Sequence, residues 1–71
     1  MTYSIIALYE DENECLHQIT LFNRLCSLDS ALPLLKNIYE TPSDYIACDS
    51  MVLVDCYIVD CEGFRVRVSK N

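Results

Sequence analysis

The groups able to do chemistry in this chain are five cysteines (Cys15, Cys26, Cys48, Cys56 and Cys61), one histidine, His17, and eleven carboxylates. Cys15 and His17 stand two apart. On a strand that spacing puts a thiol and an imidazole on one face, the start of a nucleophile and base pair. Such a pair also needs a third group to orient the imidazole, and the spacing identifies none. Zinc would require four converging ligands, and the paired C-x2-C knuckles that announce such a site are absent. Cys56 and Cys61, five apart, point to opposite faces, and Cys26 and Cys48 carry no motif. The thiols therefore read as small hydrophobes. There is no G-x-S-x-G, no H-E-x-x-H and no dinucleotide fingerprint, and the single Gly cannot build a phosphate-cradling loop. A chain of 71 residues rarely encloses the pocket, on the order of a few hundred Å3, that a small substrate needs. The expectation is a protein without enzymatic activity, metal or cofactor.

The carboxylates are more telling. Glu10, Asp11, Glu12 and Glu14 crowd four acids into five positions, and Asp44, Asp49, Asp60 and Glu62 lie in or beside predicted turns. The cluster lacks the spaced oxygen ligands and the Gly of a calcium loop. Acidic loops of this kind either pair with Arg and Lys of a partner or are simply a solvated hairpin tip. The formal charge is −6, unevenly spread. Residues 1–63 hold all eleven acids with only Arg24 and Lys36, while residues 64–71 hold Arg65, Arg67 and Lys70. Such a field repels nucleic acid and anionic membrane and attracts basic surfaces. Arg65-Val-Arg67 does not reverse this, because a single-strand platform stacks bases on aromatics of the basic face, and Phe64 alternates away from both arginines.

The elements that must carry these groups follow from period and turn chemistry. Residues 3–9 and 15–22 read as strands, joined through the acidic stretch as a β-hairpin in which Asn13 suits the φ > 0 bulge position. One hairpin face carries Tyr3, Ile5, Ala7, Tyr9, Cys15, His17, Ile19 and Leu21, the other Ser4, Ile6, Leu8, Gln18, Thr20 and Phe22. Leu28, Ala31, Leu32, Leu35, Ile38 and Tyr39 follow helical spacing. Ser30 as N-cap would place Pro33 in the first turn, so the helix is expected over 30–40. Thr41 would cap a second, two-turn helix through Cys48, with Pro42 at its first position and Asp44 reaching back. Strands at 51–60 and 64–68 follow, and Gly63 suits the left-handed bulge position of a turn beginning at Asp60. That register faces Asp60 with Phe64, Ile58 with Val66 and Cys56 with Val68. It would set Val52, Val54, Cys56, Ile58, Phe64, Val66 and Val68 against the helix. The opposite face would keep Met51, Leu53, Asp55, Tyr57 and Val59 beside Arg65 and Arg67.

The expected architecture is one α+β domain over residues 1–71. Its order is ββαββ: a four-stranded, mostly antiparallel sheet with one main helix, and a short second one, on a single face. A domain this small cannot hide all of the 52% of its residues that are hydrophobic, so part of the sheet stays open. An open face mixing apolar residues with Tyr57, Arg65 and Arg67 has an interface composition. The alternative is an ordinary half-exposed sheet with Tyr57 stacked under Arg67. The candidate contact residues are Glu10, Asp11, Glu12, Glu14, Tyr57, Arg65 and Arg67. The partner is expected to be a protein with a basic surface, or a second copy in a homodimer, rather than nucleic acid or membrane. An odd cysteine count and an opening without a basic patch and apolar run suggest reduced thiols in a cytoplasm. In size, acidity and lack of catalytic motifs the chain resembles the small inhibitors that phages use against host defence enzymes, anti-CRISPR proteins among them. That resemblance implies an inhibitor of a basic, nucleic-acid-handling protein. The other readings are a structural, self-associating domain and a Cys/His metal-binding module.

Overall fold

A computed structural model describes residues 2–45 and 50–66. Among these residues four strands, β1 (Tyr3–Glu10), β2 (Leu16–Leu25), β3 (Val52–Asp60) and β4 (Arg65–Val66), and one α-helix, α1 (Leu28–Glu40), form the expected α+β fold. The sheet order is β2-β1-β3-β4, and each neighbouring pair is antiparallel. β1 and β3 occupy the centre because they hold the densest β-branched and aromatic runs. Ile5, Ala7 and Tyr9 of β1 and Cys56 and Ile58 of β3 meet Ala31 and Ile38 of α1 in the buried core.

The two hairpins are built alike. In the second, Asp60 N–H donates to Phe64 O at 2.9 Å and Gly63 N–H to Asp60 O at 3.0 Å, with Ile58 opposite Val66. This is the register that Gly63 demanded, and its φ is +88°. The first hairpin repeats it, with Asp11 N–H on Cys15 O and Glu14 N–H on Asp11 O, both at 3.0 Å. Here the left-handed residue is Glu14, φ 65°, and not Asn13 as expected. The bulge position is the fourth of the loop, whatever residue the sequence puts there.

Bulges alter the expected faces. In β3, Leu8 stands opposite Asp55 but Tyr9 opposite Leu53, so Val54 is an extra residue. The slip moves Met51 and Leu53 onto the covered face, packed against the core. It leaves Val52 and Val54 exposed, at 66% and 54%. Phe64 is exposed as well, so three of the residues assigned to the helix side lie outside it. A slip in β2 between the partners of Ile5 and Ile6 likewise sets Phe22 opposite Ile5, against the core. A one-residue shift reverses every side chain beyond it.

α1 begins earlier than expected. Ser27 is its N-cap, its hydroxyl accepting from Ser30 N–H at 3.2 Å, and Pro33 lies inside the helix. The longer start gains that cap, Asp29 at the positive end of the helix and Leu28 against the core, at the cost of one helical hydrogen bond. Leu34, outside the expected stripe, packs on the core, while Leu32 and Tyr39 are exposed. Where the second helix is expected to begin, the described residues form a 3-10 turn, Pro42–Asp44, without a side-chain cap, and residues 46–48 lie outside them. Thr41 instead donates its hydroxyl back to Asn37 O at 3.0 Å, closing α1. Cys48, Arg67 and Val68 lie outside the described residues.

Candidate functional site

The site residues of the first hairpin fall into two roles. Asp11 is committed to the turn: Oδ1 accepts Asn13 N–H at 2.8 Å and Cys15 N–H at 2.9 Å, and Oδ2 meets His17 Nε2 at 2.8 Å. His17, then the Cys15 N–H, hold the Asp11 carboxyl below its ordinary value. Glu12 and Glu14 project from the loop this bracing sets, exposed and without an ion pair among the described residues. Glu10 lies one step inside the sheet. It stands opposite Leu16 on one side and Val52 on the other, so the three share the open face. Leu16 is 60% exposed and Val52 66%. One end of the open face therefore presents an acid between two apolar side chains, below a tip carrying two more acids.

The other candidates sit further along the same face. Tyr57 is opposite Ile6, and Arg65 opposite Val59, which is itself opposite Ser4. The Arg65 guanidinium stacks on Tyr57, 4.8 Å from the ring centroid, and reaches Asp55 at 3.5 Å. The cation over Tyr57 is thus Arg65, where the half-exposed sheet reading had Arg67. A stack of this kind contributes about 0.5–1 kcal/mol at an exposed site. The geometry ties Tyr57 and Arg65 to each other and sets them apart from the acidic end.

Asp11 is the orienting carboxylate that sequence spacing did not identify for His17, and the two groups meet only because the hairpin brings positions six apart together. The Cys15 thiol, however, points to Asn13 O at 3.9 Å. The arrangement is a carboxylate–imidazole pair that braces a turn. Among the described residues no group of three His, Cys, Asp or Glu side chains is placed to hold a metal, and no helix is long and apolar enough to cross a membrane.

A second polar cluster had no sequence signal. The Tyr39 hydroxyl donates to Cys56 O at 2.7 Å and accepts from Cys56 N–H at 3.3 Å, and Asp55 Oδ1 also accepts that N–H at 2.8 Å. Tyr39 thus occupies the outward backbone groups of Cys56 on β3. Burial, then the Asp55 carboxylate, push the Cys56 thiol up to about 11, which keeps it protonated and unreactive at neutral pH. Burial likewise raises the Tyr9 hydroxyl, which donates to Pro42 O at 3.4 Å.

No family model, curated protein or solved structure matches the chain.

Proposed function

We propose that the chain is a small acidic binding protein without catalytic activity. Its partner is a nucleic-acid-handling protein whose basic groove receives the acidic end of the open face, so that occupancy inhibits the partner. The observation carrying this reading is the placement of Glu10 between exposed Leu16 and Val52, with Glu12 and Glu14 above it. Apolar side chains supply contact area, and charges around them steer the encounter and select a basic surface. Phosphate backbones would be repelled by the same charges. Asp11 and His17 serve the reading indirectly, by holding the tip in shape.

The test begins with affinity capture from the native host and measures the captured partner's binding to the purified chain across a salt series. Binding should weaken with salt, Glu12→Lys with Glu14→Lys should weaken it at least several-fold, and nucleic acid should compete with the chain. Salt-independent affinity, or full binding by the charge-reversed variant, overturns the electrostatic reading.

A further inference from the structure

The two sides of the described sheet differ in how they are guarded. β3 is flanked by β4, which among the described residues covers Arg65–Val66, and the Tyr39 hydroxyl occupies the outward Cys56 backbone groups. β2 is ten residues long and forms the other edge. Its pairing with β1 is regular from Leu16, opposite Glu10, to Thr20, opposite Ile6, and the bulges come only after that. The turn bond from Asp11 N–H to Cys15 O sets the alternation of the antiparallel ladder. His17 and Ile19 therefore bond inward to β1, while Leu16, Gln18 and Thr20 turn their N–H and C=O groups outward. The Cys56 groups facing Tyr39 instead of Ala7 obey the same alternation. Native edges are usually blunted by Lys, Pro, inward charges or bulges; residues 16–20 contain no Lys, Pro or bulge, and their one ionisable side chain is His17, paired with Asp11.

We propose that two copies of this chain join through this edge, β2 against β2 antiparallel about a two-fold axis at Gln18, to form one continuous eight-stranded sheet. The strand is self-complementary in that register: Gln18 faces Gln18, Leu16 faces Thr20 and His17 faces Ile19. The exposed Leu16 side chain then packs on the Thr20 methyl of the second copy. Charge selects the direction. In a chain of net charge −6, β2 carries no acid, and its one cation is Arg24 at the end away from the acidic tip. Antiparallel pairing brings the tip of each copy toward the Arg24 end of the other and keeps the two tips apart, whereas parallel pairing would set them together. The regular stretch spans about 17 Å at roughly 3.4 Å per residue, a small contact that makes the dimer concentration-dependent. The proposal does not rest on the partner-binding reading, although both use the exposed Leu16 side chain.

Sedimentation equilibrium over a wide concentration range, with amide hydrogen exchange, tests it. The apparent mass should double as concentration rises, with exchange slowing at Leu16, Gln18 and Thr20. Thr20→Lys, at an exposed position, should raise the dissociation constant at least about tenfold. Gln18→Pro, which removes only an outward donor, should do the same; if that variant does not fold, Thr20→Lys decides. Tyr57→Asp should leave the dimer intact, and Thr20→Lys should leave binding to a basic partner intact. A constant monomer mass overturns the proposal, as does a dimer that survives Thr20→Lys or dissolves only with Tyr57→Asp. Protection of these amides only when a different protein is added also overturns it, in favour of strand addition by that protein.

Discussion

Glu14 occupies in the first hairpin the position that Gly63 occupies in the second, and both have positive φ, 65° and 88°. The two loops also share an Asp at their start, Asp11 and Asp60, whose Oδ1 accepts two backbone N–H groups in each case. One turn design thus appears with a permissive residue and with a strained one. A side chain with a Cβ in the left-handed region costs about 1–2 kcal/mol, partly offset for Gly by its freer unfolded chain. Glu14→Gly should therefore stabilise the protein by about 0.5–1 kcal/mol in urea unfolding. Gly63→Ala should destabilise it by a similar amount through backbone strain alone, since a Cβ there meets nothing within 4 Å. No gain from Glu14→Gly would mean that its left-handed backbone is not strained.

Pro33 inside α1 offers a second stabilising change. Its ring removes one helical hydrogen bond and crowds the carbonyl of Asp29, and its own side chain is exposed. Pro33→Ala should raise stability by about 1–3 kcal/mol and increase the helical circular dichroism signal. Equal stability of the two proteins would show that the helix already accommodates the ring at no cost.

These two sites mark where sequence was and was not readable. Gly63 was readable because a lone Gly between two apolar strands has one turn position that needs it, and the register followed. Glu14 was not, since a neighbouring Asn looked better suited to φ > 0. The bulges at Val54 and in β2 were hidden for a related reason: strict alternation fits 51–60 well, and only the packing of Leu53 and Met51 against the buried core favours the slip. The acidic tip and the Tyr57 and Arg65 part of the open face were visible as residue types, whereas Met51 and Leu53, expected on that face, pack on the core, and Val52 and Val54 take the outside. That Leu16 and Val52 flank Glu10 depends on pairing across three strands, which no local pattern encodes.

Tyr39 is exposed on α1 yet bonds both backbone groups of Cys56. Removing the hydroxyl should cost about 1 kcal/mol, the net worth of such a bond, with Asp55 still accepting the N–H. Tyr39→Phe should therefore lower stability modestly and speed amide exchange at Cys56 and its neighbours in β3. Unchanged exchange would remove Tyr39 as the guard of that edge.

The depressed Asp11 carboxyl links the tip to acid stability. Its folded value lies below the ordinary 3.8, so the contribution is fully present above that pH and is lost as pH falls through the lower folded value. Asp11→Asn should destabilise the protein at neutral pH and flatten the acid limb of a thermal midpoint against pH curve. His17→Ala should act in the same direction. An acid limb identical in wild type and Asp11→Asn would place the linkage on other carboxyls.

Cys56 governs the opposite limb. Its thiol is raised from 9.0 to about 11 by burial and by Asp55, so the folded state holds a proton that the unfolded chain releases more readily. The stability this represents is present below pH 9.0 and is lost as pH rises toward about 11. Cys56→Ala should lower stability at neutral pH by about 1 kcal/mol through lost packing. It should also soften the decline on the alkaline side, leaving the contributions of Tyr9 and Tyr39, whose hydroxyls are raised as well. Alkylation supplies the complementary measurement. Cys15, Cys26 and Cys61 are exposed and Cys56 is buried, so a thiol reagent at neutral pH should label the first three in the native protein and reach Cys56 only on unfolding. Native labelling of Cys56 as fast as Cys15 would contradict its place in the core.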